Sequence, residues 1–267
     1  MTARVAPYIA FGRIAFLQIL AYRLRYFTGI VTYLVNVTVY YFIWKALYQK
    51  GGTLQGFSFE EMITYVAVGW IIRTFYFNNV DREMANDILE GHIAAKLSRP
   101  VNYQAMQISQ AAGEASFRIL MFTVPTGLMI LLIYPVRAPA SLTAAAAFLL
   151  SLVFSFAIFA ALNFIIGTCA VYLHSILSLI RAKYFLIEVL SGLIIPLTFF
   201  PPFLSRVSEL LPFQHISYTP LMIYMGKIHG AALGFALLQG LAWSVGLLLA
   251  GHWFWRKAAH KLTVQGG

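Results

Sequence analysis

Apolar residues fill this chain in runs too long for an ordinary soluble helix, and short polar or proline-bearing breaks separate them. Crossing a hydrocarbon layer about 30 Å thick at about 1.5 Å per residue takes about 20 predominantly apolar residues. On that measure the pattern predicts an all-α integral membrane fold, a single transmembrane domain over residues 1–267 with six transmembrane helices at 26–47, 61–80, 111–133, 142–172, 184–200 and 231–255. The fourth run is longer than a straight crossing needs, so it tilts or projects from the bilayer. The fifth starts near Tyr184, is disturbed by Gly192 and Pro196, and is broken outright by Pro201 and Pro202.

Three segments depart from simple spanning. Residues 7–25 mix an apolar majority with Arg13, Gln18, Arg23 and Arg25, with Pro7 in the first turn, and predict an N-terminal helix lying in the interface with its arginines toward headgroups. Residues 81–103 form the longest polar interval. In it Met84, Ile88 and Leu89 share one helical face, while Arg82, Glu83, Asn86, Asp87 and Glu90 occupy the rest. Gly91 stops that helix, and Ile93 to Leu97 offers a second short one before Pro100. Residues 201–226 stay apolar but are cut by Pro201, Pro202, Pro212 and Pro220 into pieces too short to cross. Their free backbone groups need protein or a watery cavity to receive them.

Composition agrees with the pattern: 60% of residues are hydrophobic, 16% aromatic and 10% charged, against about 25% charged in a soluble domain. The net charge of +10 comes from 19 Lys and Arg against 9 Asp and Glu. Fourteen of those 19 basic residues fall on the side of both termini and the 81–103 connector. Five (Lys45, Lys50, Arg137, Arg206 and Lys227) fall on the other. The positive-inside rule therefore puts both termini in the cytoplasm and explains the basicity without nucleic acid. No small-residue cleavage site follows the first apolar stretch, so the N-terminus is expected to be retained. The single Cys169 excludes an intrachain disulfide and reads as a core thiol.

Catalytic and metal-binding patterns are not found: there is no His-Glu-x-x-His, no paired Cys and no His at metal-ligand spacing from another ligand. Gly51 to Ser58 contains Gly-x-x-x-x-Gly, but Phe57 stands where a phosphate-binding loop needs Lys. Energy for uphill movement would come from another subunit or an ion gradient. The intramembrane polar groups are therefore the pathway candidates. Arg73 lies deep in the second span and either snorkels toward inner headgroups or meets a substrate or ion. Glu188 sits inside the fifth span near Gly192 and Pro196, and pairs across a helix interface or relays a proton. Asn36 is expected to hydrogen-bond to a neighbouring helix. Glu114 and Arg118 are one turn apart and suit a local ion pair. Gly226, Gly230 and Gly234 repeat at the spacing that lets helix backbones approach, within the chain or in a dimer.

An interfacial N-terminal helix, six spans, an amphipathic connector between the second and third, and a proline-broken segment before the sixth together resemble the permease subunits of type 2 ABC exporters. The sharper local elements are Glu90-Gly91-His92-Ile93 with Leu97-Ser98-Arg99-Pro100-Val101-Asn102, and the Gly192 to Phe213 stretch containing Ile195-Pro196-Leu197 and Phe199-Phe200-Pro201. These look like the short bacterial ABC-2 permeases encoded as a pair beside one ATPase. The resemblance implies a chain that is not itself an enzyme, placed multi-pass in the bacterial plasma membrane. It would assemble with a second permease subunit, identical or paralogous, and two ABC ATPase subunits that bind ATP and Mg. No cofactor would be held in this chain. The 81–99 region would be the coupling helix, with Met84, Asp87, Ile88, Leu89, Glu90 and Gly91 meeting the ATPase. The 7–25 helix would be the elbow. Pro196, Pro201, Pro202 and Pro212 would shape a re-entrant cap at the outer end. The cargo would be hydrophobic or amphipathic: a drug, lipid or glycoconjugate. The competing expectation is an ion-gradient-driven carrier or channel using Glu188 and Arg73.

Overall fold

A computed structural model describes residues 2–21, 24–173 and 175–262. Twelve α-helices are defined among them. In order they are α1 (Thr2–Ala21), α2 (Leu24–Leu47), α3 (Phe59–Tyr76), α4 (Val80–Leu89), α5 (Ile93–Leu97), α6 (Tyr103–Arg118), α7 (Val124–Ile133), α8 (Leu142–Thr168), α9 (Leu177–Leu190), α10 (Pro202–Leu210), α11 (Tyr218–Tyr224) and α12 (Gly230–Ala259). Four helical stretches are long and apolar enough to cross a membrane: Thr28–Leu47, Tyr103–Ile133, Leu142–Val171 and Gly230–Ala259. These correspond to four of the six expected spans. The other two expected spans differ for physical reasons. Helix α3 carries Glu60, Glu61 and Arg73 within 18 residues. Helix α9 ends before Gly192 at φ +73°, so its 14 residues reach only about 21 Å rather than continuing to residue 200.

Helix α3 forms the centre of the bundle. Ser58 and Glu61 close a capping box at its start, each side chain meeting the other's backbone N–H (2.9 and 3.3 Å). From Met62 to Trp70 nothing but buried residues follows, as expected of a helix apolar on all sides. Tyr65, Met62, Phe159, Ile158, Ile216 and Leu221 share this core. Helix α8 packs beside α3 and carries α4, α11 and α12 on its other faces. Ser141 caps it, accepting from the Ala144 N–H at 3.0 Å.

Helices α6 and α7 form one rod interrupted by a π-helical turn at Ile119–Thr123. Pro125 explains the turn, because it has no N–H to donate and its ring would collide with a regular preceding turn. The Thr123 hydroxyl exposed by the widened turn meets the Thr74 hydroxyl at 2.5 Å.

Helix α1 begins at Thr2 rather than Pro7, which lies inside it. It lies along α6 at the distance glycine alone permits, since a Cβ on Gly113 would stand 2.0 Å from the Gly12 carbonyl oxygen. That is where backbones approach in this chain. Of the predicted glycine repeat, Gly226 packs within the chain, where an added Cβ would stand 2.6 Å from the Ala140 Cβ, while a Cβ on Gly230 or Gly234 would meet nothing. The expectations for Arg23 and for the Arg25 side chain lie outside the described residues.

Beyond α9 the prolines open short pieces. Pro196 precedes a 3-10 turn at Leu197–Phe199, Pro202 starts α10, and Pro212 starts a second 3-10 turn. Protein groups receive the freed backbone: Tyr65 donates to the Gly192 carbonyl, Ser155 to that of Ile216, and the Tyr218 N–H to that of Ser191 at 2.9 Å.

Candidate functional site: a buried polar joint beneath the connector

The chain leaves α3 through Phe77 in an extended conformation and turns at Asn78 and Asn79 into α4. Asn78 is 1% exposed and holds the turn by donating to the Tyr76 carbonyl (3.2 Å) and accepting from the Val80 N–H (3.4 Å). Asn163, in the second half of α8, donates to both the Asn78 carbonyl (2.9 Å) and its side-chain oxygen (2.8 Å). Lys183 on α9 donates to Asn163 Oδ1 at 2.5 Å and pairs with Asp81 on α4. Asp81 is 0% exposed. One uninterrupted network thus ties α4 to α8 and α9, with every charge partnered, as burial demands. Met84 completes the contact against Gly167 on α8, where an added Cβ would come within 2.9 Å of it.

Around this joint lie three more pairs. Asp87 binds Lys96 and closes α4 onto α5 across Gly91, whose φ of +77° makes the turn. Glu114 binds Arg118 at 2.9 Å, and Arg118 also donates to the Phe77 carbonyl. Arg73 binds Glu188 at 2.5 Å and donates to the Tyr33 hydroxyl at 3.0 Å, with the Trp70 and Phe77 rings each 5.3 Å away. Beside Glu114 stands Glu83, half-buried. Burial and the neighbouring Glu114 carboxylate push its pKa up to about 8.

These positions correct several sequence expectations. Arg73 does not snorkel, because a carboxylate and a phenol already satisfy it within the bundle. Asn36 hydrogen-bonds its own helix, donating to the Thr32 carbonyl at 2.8 Å, rather than a neighbour. Met84 and Asp87 point inward and are buried, so they offer no docking surface. Ile88 is half-buried. Leu89 (55% exposed), Glu90 and Gly91 stand outside, and Glu90 and His92 approach to 3.3 Å. The apolar stripe of α4 therefore faces this chain's own α8, and only its end projects.

Asn78, Asp81, Asn163 and Lys183 escaped the sequence reading. Three sit at the ends of apolar runs, where polar residues read as solvated. Asn163 carried a usable signal, as an amide well inside an otherwise apolar run.

A bundle with four helices long and apolar enough to cross a membrane, and a buried polar joint under a short helical hairpin, has the makeup of an integral membrane protein. The sequence matches the family model described as ABC-2 family transporter protein over residues 34–266, and the chain belongs to that family. It is a membrane component of a transport system. No curated protein matches the sequence.

Proposed function

We propose that this chain is the transmembrane subunit of an ATP-driven exporter of hydrophobic or amphipathic compounds. It would pair with a second permease, identical or paralogous, and with two ATPase subunits that bind ATP and Mg. In this reading it crosses a bacterial inner membrane six times. Helices α3 and α9, the latter with its broken continuation, join the four long apolar stretches, and α1 is the elbow. The charge asymmetry supports cytoplasmic termini. The proline-opened pieces around Pro196, Pro201, Pro202 and Pro212 cap the outer end.

The observation that carries the reading is the α4–α5 hairpin. Its tip offers Leu89, Glu90 and Gly91 to a partner, while its root is tied through Asp81, Met84 and Lys183 to α8 and α9. A groove that grips the tip moves the root as a rigid lever.

The test is co-purification of the tagged chain from its native cell with measurement of ATPase activity. We expect a stoichiometric ATPase, lost when Leu89→Asp puts a charge on the docking tip, with the permease still monodisperse because Leu89 is more than half exposed. A wild-type chain that elutes alone, stable and without ATPase activity, overturns the assembly.

A further inference from the structure

Between α1, α2, α3 and α6 lies a cavity of about 360 Å³. Ile19, Tyr33, Phe77 and Phe122 line its apolar part, and Glu83, Glu114 and Arg118 its polar end. A second hollow of about 490 Å³ opens on the connector side beside Asn86, Asp87, Lys96 and Arg99, and Glu83 and Glu114 line it as well. The two carboxylates therefore stand between an aromatic chamber and a polar vestibule.

Inside the aromatic chamber the charges do not balance, with the Glu83 and Glu114 carboxylates facing the single guanidinium of Arg118, while Arg99 lines the outer hollow and lies over the Phe11 ring at 5.6 Å. Arg118 is held by Glu114 at 2.9 Å and by the Phe77 carbonyl, and Lys96 is held by Asp87. Among the described residues no basic side chain forms an ion pair with Glu83. An acid half-buried against another acid holds its proton near neutrality, and a cation arriving beside aromatic faces would displace it. An anion would meet a guanidinium already engaged and two carboxylates opposing it.

We propose that this cavity binds an organic ammonium carried on an apolar body, with Glu83 as its counter-ion and the Tyr33 and Phe122 rings beside it, the Phe77 ring being already taken by the Arg73 and Arg118 guanidiniums. The cavity volume admits a headgroup and a ring, not a whole lipid. The proposal deepens the export reading by naming a cargo class and rests on that reading for calling the bound cation cargo. Binding is measured on the isolated full-length chain without an ATPase, so its failure and the failure of the co-purification are separate results.

The probe is radiolabelled phenyltrimethylammonium, whose charge does not titrate, in equilibrium dialysis against the detergent-purified protein. Its uncharged isostere tert-butylbenzene serves as competitor. The charged groups facing Glu83 are Glu114 and Arg118 on α6, Lys96 on α5, Arg99 just after α5 and Asp87 on α4. Glu83 releases its proton near pH 8, so affinity should rise about tenfold or more between about pH 6 and about pH 9. Glu83→Gln should lower affinity about tenfold and abolish the pH dependence, while Glu83→Asp should retain it. Ile19→Trp, which fills the apolar end without touching a charge, should block binding in a protein of unchanged thermal stability. Glu209→Gln on α10 should change nothing.

A lipid headgroup and a free amphipathic amine both carry this ammonium. Aminophospholipid released by the probe, read by mass spectrometry, assigns the site to lipid, and binding that releases none assigns it to a free amine. Binding that ignores pH and Glu83→Gln, or is matched by tert-butylbenzene, overturns the site.

Discussion

Asp81 and Lys183 show how much a single buried pair decides here. Their nitrogen and oxygen are held together at 7% and 0% side-chain exposure, with Asn163 Oδ1 accepting a second hydrogen bond from Lys183. Removing one member leaves a charge with no counter-ion in a low-dielectric interior, at a cost of about 3–5 kcal/mol, whereas replacing both by apolar groups of similar shape is often neutral. Asp81→Ala should therefore lower the thermal midpoint of the detergent-purified protein sharply, and Asp81→Leu with Lys183→Met should restore most of it. Equal loss in the single and double variants would mean the pair is not the stabilising contact. Arg73 and Glu188 follow the same logic. Because they neutralise each other inside the bundle, the carrier reading loses its two functional charges as free groups, and no observation in the fold favours it.

At the scale of elements, the decisive contact is α1 on α6. Helix α1 has an apolar majority and is held by the approach at Gly12 and Gly113, by Phe16 edge-on to Phe117 at 5.5 Å and by the Tyr8 hydroxyl accepting from the Asn102 N–H at 3.0 Å. Gly113→Val would drive side-chain atoms into the Gly12 carbonyl and push α1 off. We expect a cost of about 2 kcal/mol or more from overpacking, and protease cleavage within residues 5–20 at concentrations that spare the parent. Protection equal to the parent's would show that α1 is held elsewhere. The connector was readable at this scale: Gly91 as a stop, Ile93–Leu97 as a second short helix and Pro100 as a boundary are local properties of backbone and ring. Its orientation was not. An amphipathic helix pattern states which residues share a face, but not whether that face meets a foreign protein or the same chain's α8.

At the scale of the molecule, α2 and α12 turn rows of large apolar side chains outward, among them Val31, Val35 and Phe42 on one and Phe235, Leu238 and Leu249 on the other. A lipid-soluble carbene reagent should label these positions in the isolated chain reconstituted in bilayer, and leave Met62, Tyr65 and Val66 of α3 unlabelled. These two rows are the surfaces we propose for contact with a second permease. In the assembled transporter, whichever row forms that interface should lose its label, and full labelling of both would place the interface elsewhere.

The sequence by itself determined the membrane class, the all-helical fold, four of the long apolar helices, the glycine and proline breaks and the family, because hydrophobic run length and backbone restriction are local properties. Only the tertiary structure decided which polar residues meet. Asp81 finds Lys183 across 102 residues and Arg73 finds Glu188 across 115, and no spacing rule connects positions that far apart. It also decided the shortness of α9 and the inward turn of Met84 and Asp87. Glu83 without a counter-ion is likewise a tertiary outcome, since charge balance within a cavity is set by which helices enclose it rather than by the order of residues along any one of them.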